Sequence, residues 1–373
     1  MAKNIKKRKN GTYSCIVYLK DPLTGKTKPK WKSGFHSEKE AEKERIRWTQ
    51  EINEGKYSLD SEMKLSAYLT LWLDTKKNVL KLGTSQGYAV NIKNHIVPYI
   101  GSKKLNEITP IMLEALYSRL SKVIVKSTAD GKKYLSASSI RYVHATLRAA
   151  LNDAVKKRIL PFNPCYSVTL AARNKYVART LTQDEIKAFL NACDGSPIGL
   201  ELTLMLMLGL RRSEALGLRF SDIDFEKRLA HIQQQFTTCG KDKNGKPSWG
   251  IRSLKTKESD RVIGIPSIVL QKLIERQKVA KHDLICCNDD GSPRNINTLE
   301  HAFKMFLAQN GLPEIRLHDL RHTHATQLRD LGVDITTISQ VLGHTSIKTT
   351  ADIYISRNST AASLAAKAID DWI

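Results

Sequence analysis

The chain has 373 residues, with 60 Lys and Arg against 37 Asp and Glu, for a formal net charge of +23. That length predicts two or three domains, each able to bury a core. A composition of 41% hydrophobic and 7% aromatic residues excludes a disordered or collagen-like chain, and the charge points to a polyanion, nucleic acid before an anionic membrane surface.

No stretch approaches the ~18 uninterrupted apolar residues of a membrane span; the most apolar run, 198–210, contains Glu201. No apolar run follows the basic N-terminus, so no signal peptide is expected. Of the cysteines only Cys286 and Cys287 are neighbours, and no C-x-x-C pair exists. Neither a zinc ribbon nor a disulfide framework is expected, and a reducing cytosol fits. The charge is uneven: residues 1–57 carry +8, 58–177 carry +12 and 178–373 only +3. Two basic modules thus precede a nearly balanced one.

The first module opens with Lys6, Lys7, Arg8 and Lys9, whose plainer reading is a disordered basic arm. Residues 12–19 are rich in β-formers; a Pro-Gly turn and a Lys-rich run with Lys28, Lys30, Trp31 and Lys32 follow, so a small sheet is expected. A sheet bearing Lys and Trp can lie in a DNA groove, although solvated lysines are the plainer alternative. Ser37 with Glu40 marks the start of a helix to about Asn53, ended by Gly55.

The second module reads as all-helical. Leu65, Tyr68, Leu69 and Trp72 fall at helical spacing. A helix is expected from Thr84 until Pro98 and Gly101 stop it, and another from the N-cap Thr109 and Pro110 to about Leu120. Residues 126–134 read as a loop and 138–157 as a long helix with Ile140, Val143, Leu147 and Leu151 inward, stopped by Pro161 and Pro164. A linker is expected over 171–180.

The third module is mixed. Thr182 and Glu185 make a capping box, 198–208 an apolar helix, 229–236 and 251–265 strands with a turn at 255–260, and 240–247 a hairpin loop. Four or five helices follow.

Phosphate-loop, dinucleotide-binding, H-E-x-x-H and nucleophile-elbow motifs are missing. His318 and Arg321, three apart on an expected helix, share a face. Gly343 can end a helix and leave His344 exposed in the turn after it, and Tyr354 follows. With Arg211 and Lys255 upstream, the chain offers two arginines, a lysine, two histidines and a tyrosine. That set suits metal-free attack on a phosphodiester. Guanidiniums neutralise the non-bridging oxygens. A tyrosine can be the nucleophile, and a lysine or imidazolium can protonate the leaving oxygen. Singly, each residue reads more simply as a surface charge, a packed tyrosine or a helix-end histidine. His318, His322, His324 and His344 allow a metal, but no Cys or Glu completes a motif; His322 and His324 read as packing or capping residues, and Cys286–Cys287 as buried filler.

These motifs, Gly209-Leu210-Arg211-Arg212-Ser213-Glu214, Lys255-Thr256-Lys257, His318-Asp319-Leu320-Arg321, Leu342-Gly343-His344 and Tyr354, resemble the tyrosine recombinase (phage integrase) family in order and spacing. Residues 10–55 resemble the arm-binding domain of integrases from Gram-positive phages and Tn916-type conjugative transposons, and 62–170 the helical core-binding domain. The resemblance implies a multidomain fold: a small α+β arm-binding domain (1–57), an all-α core-binding domain (58–170), a linker (171–180) and a mainly α catalytic domain with a small antiparallel sheet (181–373), ending in a helix (359–373).

It implies that Arg211 and Arg321 bind the scissile phosphate, that Lys255 rather than Lys257 is the general acid, and that His318 assists proton transfer or holds the phosphate. His344 would bind phosphate, Tyr354 would form a 3′-phosphotyrosine, and Glu214 would orient the active-site helix. It also implies a DNA-bound homotetramer working through a Holliday junction on core- and arm-type attachment sites, with no metal or other cofactor. The C-terminal helix would dock in trans, an excisionase and a host architectural protein are possible partners, and the setting would be the bacterial cytoplasm at the nucleoid. A type IB-like topoisomerase, a non-catalytic DNA-binding protein on the same scaffold and a metal-dependent nuclease are the alternatives.

Overall fold

The structure is a computed structural model. It describes residues 4–20, 27–53, 59–128, 131–172, 176, 178–241, 247–254, 259–344, 346 and 351. Lys255, Lys257, Tyr354 and the expected helix 359–373 lie outside the described residues. The chain divides into two compact units, Met1–Lys175 and Tyr176–Ile373. Among the described residues, no helix is long and apolar enough to cross a membrane.

The first unit begins with an antiparallel sheet of β1 (Ile5–Lys7), β2 (Tyr13–Lys20) and β3 (Thr27–Phe35), in that order, followed by α1 (Glu38–Asn53). The basic run is therefore more than a free arm. Ile5 is buried, which draws Lys6 and Lys7 into an edge strand paired with Ser14 and Tyr13. Ser37 Oγ accepts the Glu40 amide at 3.1 Å and starts α1 as its sequence implies. Trp48 and Ala41 of α1 close a small core against Ile5, Cys15 and Val17.

A helical bundle follows: α2 (Leu65–Lys76), α3 (Leu82–Asn91), α4 (Val97–Ile100), α5 (Pro110–Leu120) and α6 (Ala137–Lys156). Thr109 Oγ1 accepts the Met112 amide, with Pro110 in the first turn where its missing N–H is not needed. The apolar stripe Ile140, Val143, Leu147 and Leu151 packs on Leu65, Tyr68, Leu69 and Trp72 in one core.

Two local expectations differ. Pro98 does not stop the helix begun at Leu82: a π-helical turn, Ile92–Ile96, intervenes, and Pro98 then sits in the first turn of α4. The wider turn restarts the hydrogen-bond ladder, so no proline N–H is missed. The segment read as a loop over 126–134 belongs to a hairpin, β4 (Ile124–Thr128) with β5 (Gly131–Tyr134). Its β-branched start at Ile124 and Val125 was outweighed by the polar residues after it.

The second unit holds α7 (Gln183–Cys193), α8 (Gly199–Met207) and α9 (Arg212–Ala215), then β6 (Ile223–Asp224), β7 (Leu229–Ile232), β8 (Gln234–Lys241), β9 (Pro247–Ser253) and β10 (Arg261–Gly264). The helices α10 (Ser267–Val279), α11 (Ile296–Gln309), α12 (Leu317–Asp330) and α13 (Ile335–Leu342) follow. One sheet has the order β10-β7-β6, and β8 pairs with β9 in another. The strand expected over 229–236 is thus two strands in different sheets. Gln233 makes the break, and it and Gln234 at the start of β8 both donate to the Asp222 carboxylate, at 2.6 and 3.2 Å. Helices and sheet share a core that includes Phe189, Leu202, Leu216, Ile263, Leu273, Phe303 and Leu320.

Gly209, just after α8, is left-handed with φ 63°, and a Cβ there would lie 2.6 Å from the His324 ring. Gly209→Ala is expected to lower the unfolding free energy by ~1–3 kcal/mol or more, combining backbone strain with that contact. Urea denaturation checks it; an unchanged midpoint contradicts it.

Candidate active site

Five pieces of the second unit converge. Gly209 closes α8 and leaves its carbonyl without a helical partner. Arg211 stands at the N-cap of the short α9 and Glu214 within it. Arg261 opens β10, His318 and Arg321 stand on α12, and His344 follows α13. Asp334 caps α13 by accepting the Thr336 and Thr337 amides, and Gly343 ends it with φ 63°. Gly343 therefore ends the helix as expected, but His344 is half-buried rather than exposed, and its amide returns to the Ser339 carbonyl at 3.0 Å.

The centre is the buried Glu214 carboxylate. Its Oε2 accepts the Arg211 amide at 2.9 Å and Arg261 Nη2 at 3.0 Å, its Oε1 accepts Arg211 Nη1 at 2.6 Å, and Arg321 Nη1 lies 3.8 Å from Oε2. The same arginines hold the end of α13. Three successive carbonyls there each accept from a different one: Val341 from Arg261 Nε at 2.6 Å, Leu342 from Arg321 Nη2, and Gly343, just past the helix, from Arg211 Nη2 at 2.9 Å. Arg321 Nη1 also donates to the Gly209 carbonyl at 2.9 Å. Partial negative charge at two helix ends thus joins the carboxylate in opposing three guanidiniums.

The electrostatics follow from burial and that surplus. Burial works to raise the Glu214 carboxyl, but Arg261, then Arg211 and Arg321, hold it below the usual carboxylate range. Burial, then Arg211, pushes Arg321 down to about 9, so it stays charged at neutral pH. Burial foremost, then His322 and the arginines, pushes His318 down to about 4, and burial with Arg321 and Arg211 pushes His344 to about 3. Both are neutral imidazoles at pH 7. His322 stacks edge-on against His318, ring centroids 4.9 Å apart, and is lowered by burial. His324 is half-buried beside Gly209, which fits its reading as a packing residue. Among the described residues, no group of three His, Cys, Asp or Glu could hold a metal ion.

The structure thus gathers Arg211, Glu214, His318, Arg321 and His344. Lys255 and Tyr354 lie outside the described residues. Two residues were missed. Arg261 is buried and also donates to the Ser259 carbonyl at 3.0 Å, four residues after Lys255 in the sequence. Its one signal was a charge in a strand with apolar neighbours, Val262 and Ile263. Tyr176, inside the stretch expected as linker, donates to the fully buried Asp319 at 2.9 Å, while the Arg316 guanidinium lies 3.3 Å from its ring centroid. Asp319 also accepts the Arg316 amide and side chain, which fixes the start of α12.

In the first unit, Lys30 and Lys32 are ion-paired with Glu62 and Glu44, at 2.6 and 2.7 Å. Lys28 shares their strand. Lys6, Lys7, Arg8 and Lys9 are exposed, and Lys6 stands over the exposed Trp31 ring, 5.4 Å from its centroid.

Three family models match in chain order: the arm DNA-binding domain over residues 4–52, the phage integrase N-terminal SAM-like domain over 64–121 and the phage integrase family over 179–360. A tyrosine recombinase XerC-like protein of Caldanaerobacter subterraneus subsp. tengcongensis is 28% identical across 95% of this chain and 95% of its own. The ICEBs1 integrase of Bacillus subtilis is also 28% identical, across 94% and 95%. Among solved structures, the Tn1549 transposon integrase in complex with transposon right end DNA aligns with a TM-score of 0.68 at 20% identity, over 83% of this chain and 100% of that one. A lambda integrase tetramer bound to a Holliday junction aligns at 0.57 and 20%, over 94% of each.

Two outcomes are expected of the DNA-free protein. Glu214→Gln leaves three guanidiniums without their counter-charge and should cost ~3–5 kcal/mol by chemical denaturation. Because folding lowers His318, His324 and His344 from 6.5 to about 4, 4 and 3, the unfolded chain binds more protons below pH 6.5. Stability is therefore complete above pH 6.5 and is lost as pH falls towards the folded values. Urea midpoints should fall from pH 7 to 5, above the carboxylate range, and fall less in His344→Gln; a flat wild-type profile contradicts this.

Proposed function

Since the chain belongs to the phage integrase family and is a tyrosine site-specific recombinase, we propose that Arg211, Lys255, His318, Arg321, His344 and Tyr354 cut and rejoin its DNA. The carrying observation is the surplus of positive charge: three guanidiniums face one carboxylate. A guanidinium has five N–H donors, and Arg211 and Arg321 each spend only part of theirs on the protein. A phosphodiester brings the missing anion, and the remaining donors suit its non-bridging oxygens.

Tyr354 Oη attacks phosphorus, and the neutral His318 imidazole takes the phenol's proton. The P–O5′ bond breaks, and Lys255 protonates the departing oxygen. His344, also neutral, donates an N–H to the phosphate. The 3′-phosphotyrosine conserves the ester, so a second strand's 5′-hydroxyl can reverse the step without ATP. Glu214 orients Arg211.

On this reading, residues 1–57 bind arm-type DNA, 58–170 bind core-type DNA, 171–180 link them to the catalytic residues 181–373, and the protein acts on bacterial DNA at the nucleoid. The DNA complexes of the structural neighbours support DNA as partner, and the lambda integrase assembly supports a homotetramer resolving a Holliday junction during integration and excision of a mobile element. Docking of residues 359–373 in trans, an excisionase and a host architectural protein belong to the same proposal.

The test is a nicked duplex spanning the junction of the element and its flank, which traps the covalent step. The wild type should form a protein–DNA adduct in EDTA. Tyr354→Phe should form none, and Arg321→Lys at least ~10²-fold less while still binding DNA. An adduct that persists in Tyr354→Phe overturns the nucleophile assignment.

A further inference from the structure

The hairpin β4–β5 does not follow from the chemistry above, and every described side chain on it is exposed. Its base is anchored: the Leu135 amide donates to the Val123 carbonyl at 2.9 Å, and both side chains pack on the helical core. Beyond that base, both faces of the ribbon meet solvent. A two-stranded hairpin with no buried face is marginal on its own.

The register makes the arrangement less favourable still. Lys126 lies directly opposite Lys133, so two like charges share one face. Such a pair destabilises an antiparallel ribbon. Ser127 lies opposite Lys132 on the other face, and Ile124 opposite Tyr134 on that same face, with a bulge at Val125. Among the described residues, no carboxylate pairs with Lys122, Lys126, Lys132 or Lys133; elsewhere in the unit, Lys30, Lys32, Lys76 and Lys104 all have one.

Lysines on both faces, unneutralised and forced together, fit a ligand that surrounds the ribbon with anions. A duplex groove does so: phosphates line both walls, and the major groove admits a two-stranded ribbon. A flat acidic protein surface would neutralise one face only. We propose that β4–β5 is a DNA-contacting ribbon that enters a groove beside the site held by the helical bundle, with Lys126, Lys132 and Lys133 on phosphates and the exposed Ile124 and Tyr134 towards sugars and bases. The proposal rests on the reading of the chain as a DNA-binding recombinase.

The full-length protein is titrated with a random-sequence duplex of about 30 base pairs across a salt series. Each phosphate contact contributes about 0.9 to the log–log slope. The triple variant Lys126→Ala, Lys132→Ala, Lys133→Ala should lower that slope by about 2 to 3 and raise Kd about 10- to 100-fold near 0.15 M salt. Removing three exposed lysines of the second unit, Lys278→Ala, Lys281→Ala, Lys304→Ala, takes away the same charge and should change the slope by less than about 1. Equal effects of the two variants, or no effect of the hairpin variant, overturn the proposal, the latter being also the outcome if an acidic protein is the partner. A wild type that fails to bind any duplex would instead sink the DNA-binding reading itself.

Discussion

A single buried carboxylate facing three guanidiniums is the constraint on which the catalytic unit turns. Glu214 draws Arg211, Arg261 and Arg321 together from three chain segments. Alone it cannot balance them. The remainder is met by the backbone carbonyls at the ends of α8 and α13, and those are available because a left-handed glycine follows each helix. Arginine is required at these positions rather than lysine. A planar fork can hold a carboxylate oxygen and a carbonyl in different directions at once, which a point charge on a flexible stem cannot.

The same surplus sets the state of the histidines. An imidazole buried beside guanidiniums is hard to protonate, so His318 and His344 wait as neutral groups that can accept or donate one proton. A phosphate in the site would reverse the sign of the local field. On the proposed assignment, the substrate therefore supplies the missing anion and retunes the groups that are to move its protons.

Legibility tracked sequence distance. Ser37, Thr109 and Thr182 accept amides within a few residues, and Gly343 donates its own to the nearby Gln340 carbonyl, so these caps could be read locally. His318 and Arg321 share one helix face, a fact of spacing alone. Arg261 could not be found in that way: its partners Glu214 and Val341 lie 47 and 80 residues off. Tyr176 reaches Asp319 across 143 residues from a stretch whose composition says only linker. Pro98 misled because its cost depends on the ladder before it, and a π turn changes that ladder. In the hairpin, lysines hid a strand pair whose like charges a folded monomer does not explain.

Net charge turns out to be a poor map of where anions bind. The first unit carries most of the excess, yet Lys30 and Lys32, the lysines flanking Trp31 in β3, are each held by a glutamate. An ion-paired lysine must give up its partner before it can take a phosphate, and at a partly exposed site that exchange gains little. Among the described residues, the lysines of β4–β5 have no carboxylate to give up, and binding an anion relieves a repulsion they already carry. The catalytic unit takes the same logic to its limit: its total charge is small, but three guanidiniums are fixed where one carboxylate cannot satisfy them. What identifies an anion site in this chain is charge left uncompensated by the fold, and that depends on pairing, which the composition does not record.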